Sequence, residues 1–433
     1  MTPDRREFLA GAAALAAAAA VGKPGDALAA LQPSTVAPVR PLPNPRQSGL
    51  NHVVVVMMEN RSFDHYMGWL PGAVRKQSGL TFLDGNGDPH QTHHLVDDNQ
   101  GCTHPDPDHS FEGGRVQLNN GACDGWLRSG DNDEFAIGYY KAEDLDFYRR
   151  AAPYWSVCDH YFSATMAETY PNRFYQHCAQ TDRIHNSTVV AEMPTIWDRL
   201  GAAGVPAKYY YSDLPFTALF GQRHLGISRQ FDEFLTDCRL GRLPSVSFVD
   251  PKFVDEGEGT SNDDHPHADI RAGQRFLNTV YRAITQSPNW DHTLLVINYD
   301  EWGGFFDHVR PGTAHDARPD LGTQLRGFRV PCLLISPFVK RRTIARPVYD
   351  HTSILKMIEW RWGLRSLTPR DRQARNIAET LDFSRRYLTA PTWTVPAITP
   401  QACSAQVAAD YEDWYGLAQV AEDNGFDVAI GAR

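Results

Sequence analysis

Short continuous apolar runs recur along the chain and give the first prediction of its fold. They cover residues 52–58, 208–211, 246–249, 294–299 and 332–336. Runs of this length are typical of strands buried on both faces, the usual state of central strands in a parallel sheet. We therefore predict a buried strand at each run.

Helical patterns lie between these runs, at residues 268–284 and from residue 195 onward. Alternating strands and helices predict an α/β fold with a doubly wound, mostly parallel sheet. Residues 84–133 are rich in Gly, Asn, Asp and His, which predicts a long irregular insertion after the first strand. Residues 411–423 predict a C-terminal amphipathic helix that packs on the main domain.

The N-terminal residues have the composition of a targeting segment. Arg5 and Arg6 precede an Ala-rich run at residues 10–21, and residues 27–29 offer a small-x-small cleavage site. The arginine pair is similar to a twin-arginine signal, so we expect residues 1–29 to direct export to the periplasm, the cell envelope or the medium. An ordinary secretory signal and an N-terminal anchor are the alternatives.

The rest of the chain is predicted to form one unit. Residues 30–48 are rich in Pro and polar residues and predict a tether, followed by a single domain over residues 49–433 with a C-terminal helical extension. No stretch is long and apolar enough to predict a stable membrane span. The formal net charge of −10 argues against a nucleic-acid partner, which usually meets a basic face.

The seven cysteines include no CxxC pair, a pattern that disfavours a zinc–thiolate site. We expect Cys102 to pair with Cys123, because the two bracket one loop-rich segment in a chain expected to be exported. The odd count leaves at least one thiol free or bonded to another chain. For Cys158, Cys178 and Cys332, a role as small buried apolar residues is an equally weighted alternative.

Acidic and amide side chains follow two of the predicted strands directly. Glu59 and Asn60 end the first run, and Asp300 and Glu301 end the run at residues 294–299. Ligands of open α/β sheets bind beyond the carboxyl ends of strands, and oxygen ligands from two such ends could hold one hard divalent cation. The alternative for any one strand-end acid is a helix N-cap.

Thr169 stands just before Pro171, where a helical pattern begins. A hydroxyl at a helix N-terminus can lie where backbone N–H groups hold a phosphate, and a metal would lower its pKa enough to make it a nucleophile. The alternative is an ordinary N-cap. Histidines near such a site can contact phosphate or protonate a leaving oxygen, although a lone histidine is more often a surface or packing residue.

These motifs, in this order and spacing, resemble the bacterial phospholipase C and acid phosphatase family, a branch of the alkaline-phosphatase superfamily. The most specific are Glu-Asn-Arg-Ser-Phe-Asp at residues 59–64 and Asp-Glu-Trp-Gly-Gly at residues 300–304. Shorter matches lie at residues 108–110, 124–125, 169–173, 264–266 and 349–353. The resemblance implies an alkaline-phosphatase-like fold over roughly residues 49–385 and a phosphoesterase activity.

The resemblance also implies roles for single residues. Those implied as metal ligands are Glu59, Asn60, Thr169, Asp300 and Glu301. Thr169 is implied as the nucleophile, and His265 or His308 as the group that protonates the leaving alcohol. Those expected to contact the substrate are His109, Asp124, His267 and His351.

The function expected from these observations is an exported, metal-dependent phosphoesterase of the phospholipase C type, acting on phosphodiesters such as phosphatidylcholine. An acid phosphatase acting on phosphomonoesters is the alternative, and a secreted binding protein without turnover is the alternative of another class. The oxygen ligands suit Mg²⁺, Ca²⁺ or Mn²⁺, and nearby histidines would admit Zn²⁺. The partner is a phospholipid or a small phosphoester.

Overall fold

The structure is a computed structural model that describes residues 34–403 and 413–428. The predicted export signal and residues 30–33 of the predicted tether therefore lie outside the described residues. So do residues 411 and 412, the start of the predicted C-terminal helix. The rest of the predicted tether is described, and its residues Thr35 and Val36 pair with Thr343 and Ile344 in the main sheet.

A mixed nine-stranded sheet forms the centre of the protein. The described strands are β1 (Thr35–Val36), β2 (His52–Met58), β3 (Thr81–Leu83), β4 (Pro89–Gln91), β5 (His93–His94), β6 (Gly138–Tyr139), β7 (Ser156–Cys158), β8 (Ala207–Tyr211), β9 (Ser228–Gln230), β10 (Val246–Val249), β11 (Thr293–Tyr299), β12 (Cys332–Ile335) and β13 (Thr343–Ala345). The order across the main sheet is β1-β13-β7-β12-β11-β2-β10-β8-β9.

The centre of this sheet is the parallel pair β2 and β11, which run side by side from His52 and Thr293 to Met58 and Tyr299. Nearly every side chain of both strands is buried, as their continuous apolar sequences predict. All five predicted strands are present. The mostly parallel α/β fold is confirmed, with β12 as the exception, because it pairs antiparallel with both of its neighbours.

Helices cover the sheet. They are α1 (Phe63–Met67), α2 (Phe111–Leu118), α3 (Tyr148–Ala151), α4 (Thr169–Cys178), α5 (Ile196–Ala202), α6 (Phe231–Arg239), α7 (Ile270–Thr285), α8 (His351–Trp362), α9 (Pro369–Gln373) and α10 (Trp414–Asp423). The predicted helix at residues 268–284 is α7, which begins two residues later because the Asp269 side chain caps it by accepting from the N–H of Arg271. None of the helices in the described part of the chain is long and apolar enough to cross a bilayer.

The predicted irregular insertion is more ordered than its composition suggested. It contains α2, and β4 within it pairs with β3 just before it. Its side chains Leu118 and Trp126 enter an apolar cluster with Trp302 and Phe306, which follow β11. The insertion therefore packs on the polypeptide that carries the second strand-end motif.

The cysteine prediction was wrong in its pairing. Cys102 forms a disulfide with Cys403, which lies 301 positions later in the sequence, and Cys123 is a buried free thiol. Cys158, Cys178 and Cys332 are also free and buried, so they act as small apolar residues. The bond joins the insertion to the C-terminal segment, a contact that spacing along the sequence does not reveal.

Candidate active site

The register of the central strands brings the two predicted acidic strand ends together. Met58 lies opposite Tyr299, so Glu59 and Asp300 leave adjacent strands at the same level. The backbone N–H of Asn60 donates to Asp300 Oδ1 at 3.0 Å. Asn60 has a φ of 55°, a left-handed conformation that asparagine tolerates better than most residues.

A glycine keeps this approach open. An ideal Cβ at Gly303, whose φ is +63°, would lie 2.1 Å from the carbonyl oxygen of Asn60. Any other residue at that position would clash with backbone and would be strained as well. The first glycine of the Gly-Gly pair, Gly303, is thus explained by the close approach of the two strand-end loops.

Thr169 completes this group from a third element. It is the first residue of α4, and Glu168, not Thr169, occupies the N-cap position. The Thr169 hydroxyl lies 3.1 Å from Glu59 Oε2 and 3.3 Å from Asn60 Oδ1. The simple N-cap alternative for Thr169 is therefore wrong, because its side chain points to the acids at the strand ends. We call Glu59, Asn60, Thr169, Asp300 and Glu301 the strand-end cluster.

Arg173 lies one helical turn after Thr169 and was not singled out from the sequence. Its guanidinium donates to Glu59 Oε1, with the Nε at 2.8 Å, and its Nη1 donates to Asp250 Oδ2 at 3.2 Å. It is 1% exposed. The spacing of four residues on one helix, which places two side chains on the same face, was the signal that could have identified it.

One arginine does not neutralise this group. Glu59, Asp300 and Glu301 are all fully buried. Burial raises the pKa of Glu59 well above its usual value despite Arg173, and burial together with the Glu301 charge raises that of Asp300. Asp300 Oδ2 has no hydrogen-bond donor among the described residues, and the Arg173 Nε is 4.0 Å away. These oxygens fit a divalent cation, which would compensate the excess negative charge.

Two predicted histidines border the strand-end cluster. His109 donates from Nδ1 to the Pro107 carbonyl at 2.7 Å, so its Nε2 faces the Asn60 side chain at 3.5 Å. The rings of His109 and His265 are 5.7 Å apart. Nδ1 of His265 lies 3.1 Å from a carboxylate oxygen of Glu256. Glu256 carried no signal in the sequence, because it lies in a loop without a recognised motif.

Asp106 joins these two histidines in a second group that could hold a metal ion. One ligand atom from each of Asp106, His109 and His265 lies within 4.8 Å of the others. Asp106 carried no recognisable signal in the sequence, because it lies within the loop-rich insertion.

His351 lies behind the strand ends. Its Nε2–H donates to the backbone carbonyl of Asp300 at 2.7 Å, and its Nδ1 accepts from the Tyr161 hydroxyl at 3.0 Å. Burial lowers its pKa to about 4, so the ring is neutral. Both ring nitrogens are used within the protein, where His351 supports the Asp300 backbone.

His267 is also engaged within the protein. It is 2% exposed, and its Nε2 lies 2.9 Å from the His104 carbonyl. Asp124, which was also expected to contact the substrate, lies on the protein surface. Its carboxylate is 46% exposed and accepts from Asn119 and Arg128 on the surface of the insertion. Neither residue has a described contact with the strand-end cluster.

His308 belongs to a different group. Its backbone N–H donates to Asp64 Oδ2 at 2.9 Å, and its Nδ1 contacts the same oxygen. Asp307 and Arg329 complete this set, which we call the arginine cluster. The structure thus places His308 with Asp64, because the chain turns after Gly304 and packs against α1.

The fold and the site define the class of protein: an α/β protein in which acids at the carboxyl ends of two central parallel strands meet a hydroxyl residue at the start of a helix. The profile of the Phosphoesterase family matches residues 50–365, and the chain belongs to that family. The predicted family and enzyme class, a hydrolase of phosphate esters, are confirmed.

Named relatives cover most of the chain. It is 33% identical to Non-specific phospholipase C1 of Arabidopsis thaliana, over 76% of this chain and 70% of the relative. It is 31% identical to Phospholipase C B of Mycobacterium tuberculosis, over 77% and 78%. Among solved structures, the lipoteichoic acid synthase LtaP from Listeria monocytogenes is similar at 7% identity, with a TM-score of 0.42 over 91% of this chain and 97% of that one.

Proposed function

We propose that this protein is an exported phospholipase C that cleaves the bond between diacylglycerol and the phosphoryl head group of phospholipids such as phosphatidylcholine. The observation that carries the proposal is the Thr169 hydroxyl, held 3.1 Å from Glu59 Oε2 at the start of α4. The lipid substrate class is supported by relatives named phospholipase C.

The proposed reaction has two steps. The Thr169 oxygen forms a bond to phosphorus, the bond to the diacylglycerol oxygen breaks, and the hydroxyl proton passes to Glu59. Water then displaces Thr169 from phosphorus and releases phosphocholine. A divalent cation held by the strand-end cluster would lower the pKa of the hydroxyl and stabilise charge on the phosphate oxygens. Its identity among Mg²⁺, Ca²⁺, Mn²⁺ and Zn²⁺ is a matter for metal analysis.

Of the two histidines expected to protonate the leaving alcohol, we propose His265. The His265 ring lies beside the ring of His109, which itself reaches the Asn60 side chain. The contact of His265 Nδ1 with Glu256 favours a ring orientation in which Nε2 points away from Glu256. His308 is the weaker candidate because Asp64 engages its ring. General acid catalysis by a histidine contributes typically 10²–10⁴-fold, so roughly that loss is expected for His265→Ala.

The nucleophile is tested with Thr169→Ala and Thr169→Ser. We expect the alanine variant to lose turnover by roughly 10³-fold or more, while the serine variant keeps part of it because the hydroxyl remains. Rapid quenching with head-group-labelled phosphatidylcholine should trap label on Thr169. An active alanine variant without trapped label would instead indicate direct attack by water.

Parallel assays separate the alternatives. Release of diacylglycerol from phosphatidylcholine supports the phospholipase, whereas faster release of phosphate from a soluble phosphomonoester supports the acid phosphatase. If the metal-loaded wild-type protein binds both compounds and hydrolyses neither, the proposed function is wrong and a binding protein is indicated.

We also propose twin-arginine export. The Cys102–Cys403 disulfide supports a destination outside the reducing cytosol. Replacing Arg5 and Arg6 by Lys should leave precursor in the cytoplasm, as measured by fractionation and immunoblotting. Normal export of that variant would contradict the twin-arginine route and leave the enzyme proposal intact.

A further inference from the structure

A cavity of about 530 Å³ lies apart from the strand-end cluster. Its wall combines apolar side chains, including Phe162, Val309 and Val348, with three arginines, Arg310, Arg326 and Arg375. No acidic residue lines it in the described part of the chain. The protein as a whole has a formal net charge of −10, so the charged side chains that line this pocket have the opposite sign to the overall charge.

The three arginines differ in how far their charges are already compensated. Arg326 donates to Asp350 at 2.7 Å and Arg375 to Glu379 at 2.7 Å. Arg310 is exposed and has no ion pair or hydrogen bond among the described residues. Its guanidinium lies over Gly121, where an ideal Cβ would be 2.5 Å from Cζ. Arg310 thus brings an uncompensated, delocalised cation to the pocket.

The strand directions place this pocket at the same edge of the sheet as Thr169. β7 and β11 are both antiparallel to β12, so they run in one direction, and β13 is parallel to β7. Phe162 and Val348 follow the carboxyl ends of β7 and β13, as Asp300 follows β11. With strands about 4.8 Å apart, β7 and β13 lie roughly 10–15 Å along the edge from β11.

We infer that this basic pocket binds the phosphate group of an anionic phospholipid and docks the enzyme on the lipid surface from which it takes its substrate. A guanidinium is the side chain best suited to phosphate oxygens. Val348, which is 42% exposed, offers an apolar contact for the glycerol end of the lipid that a free phosphate would not use. This inference rests on the proposed lipid substrate.

The experiment compares Arg310→Glu with Arg282→Glu. Arg282 is an exposed residue of α7 and gives the same change of charge away from the pocket. Each is made with Thr169→Ala to suppress turnover, and sedimentation is measured with vesicles of phosphatidylcholine alone and of phosphatidylcholine with phosphatidylglycerol in equal parts. Thermal unfolding verifies that the variants are folded.

We expect Arg310→Glu to weaken binding to the anionic vesicles roughly tenfold, with little change for Arg282→Glu or for neutral vesicles. With Thr169 intact, Arg310→Glu should hydrolyse soluble phosphorylcholine esters at the wild-type rate. Equal losses in both arginine variants would overturn the inference in favour of a general charge effect. Competition by inorganic phosphate with no preference for anionic vesicles would overturn it in favour of a free-phosphate site.

The readout separates this inference from the proposed function. Vesicle binding is measured in variants without turnover, so the result on docking does not depend on whether the protein hydrolyses lipid. If the wild-type protein does not hydrolyse lipid, the proposed function is wrong, whatever the result of the vesicle-binding experiment.

Discussion

The strand-end cluster and the arginine cluster start from the same two strands and have opposite characters. Asp64 follows Glu59 by five positions, and Asp307 follows Asp300 by seven. Each cluster buries carboxylates close to a cation and a histidine. The groups of Asp64, Asp307 and His308 even approach within 4.8 Å, as metal ligands do. The difference lies in how their oxygens are satisfied.

Every carboxylate oxygen of the arginine cluster has two donors. Asp64 accepts from the backbone of Lys76 and His308, from the His308 ring and from Arg329. Asp307 accepts from the backbone of Asp64 and Val309 and twice from Arg329. Nothing is left for a ligand, and the cluster holds the fold together.

In the strand-end cluster, Asp300 Oδ2 has no donor among the described residues, and Glu59 Oε2 meets the Thr169 hydroxyl. Both clusters contain buried carboxylates that follow the same two strands. The two clusters differ in the number of hydrogen-bond donors around their carboxylate oxygens. A candidate metal site leaves some of these oxygens without a donor, whereas a structural ion pair does not, and the fold decides which backbone N–H groups lie near.

The largest effect is expected from Asp300→Asn. A neutral amide is a weaker ligand than a carboxylate, so bound metal and activity should fall together, by at least about 100-fold in kcat. In metal-free protein the same change should raise the melting temperature, because it removes repulsion with Glu59 and Glu301. Metal analysis, kinetics and calorimetry measure these quantities. Unchanged metal content with lost activity would give Asp300 another role.

The opposite outcome is expected for Arg329→Met. The Arg329 side chain is fully buried between Asp64 and Asp307, and its loss leaves two uncompensated carboxylates. We expect the free energy of unfolding to fall by about 3–5 kcal/mol, while metal content per folded molecule stays unchanged. Denaturant titration measures the first and metal analysis of the folded fraction the second. A metal loss as large as that of Asp300→Asn would remove the distinction between the clusters.

A smaller effect should appear with acid. Burial alone would raise the pKa of Asp350, but Arg370 and Arg326 outweigh it and hold that pKa below its usual value. Its stabilising contribution is complete above the unfolded pKa of about 3.9 and is lost as pH falls through the folded value. Below pH 4, stability of the Asp350→Asn variant should depend less on pH, by at most about 1.4 kcal/mol per pH unit. Equal slopes would argue against this linkage.

The strands of the fold could be predicted from the sequence because burial on both faces leaves a direct pattern. The apolar run at residues 246–249 has the same bounds as β10. The antiparallel direction of β12 could not be predicted, because an apolar run has the same composition in either direction. The regular structure within residues 84–133 was not predicted, because two glycines in the first turn of α2 hide its helical pattern.

Part of the candidate site was predictable for the same reason. Glu59 and Asp300 each follow a continuous apolar run that predicts a buried strand. The carboxyl ends of parallel strands lie at the same edge of a sheet, so the two acids were expected to lie close together. The roles of His308 and His351 were implied by the resemblance of short motifs, which says nothing about where a ring points. Glu256 and Asp106 come from loops whose approach depends on tertiary contacts.

The disulfide closes part of the chain into a covalent ring. Residues 102–403 are closed by one bond and include most of the main sheet. A single protease cut in any surface loop of this ring would leave one piece on a non-reducing gel and two after reduction. The protein could therefore lose peptide bonds without losing segments, and Cys403 would stay beside the loop that carries His265.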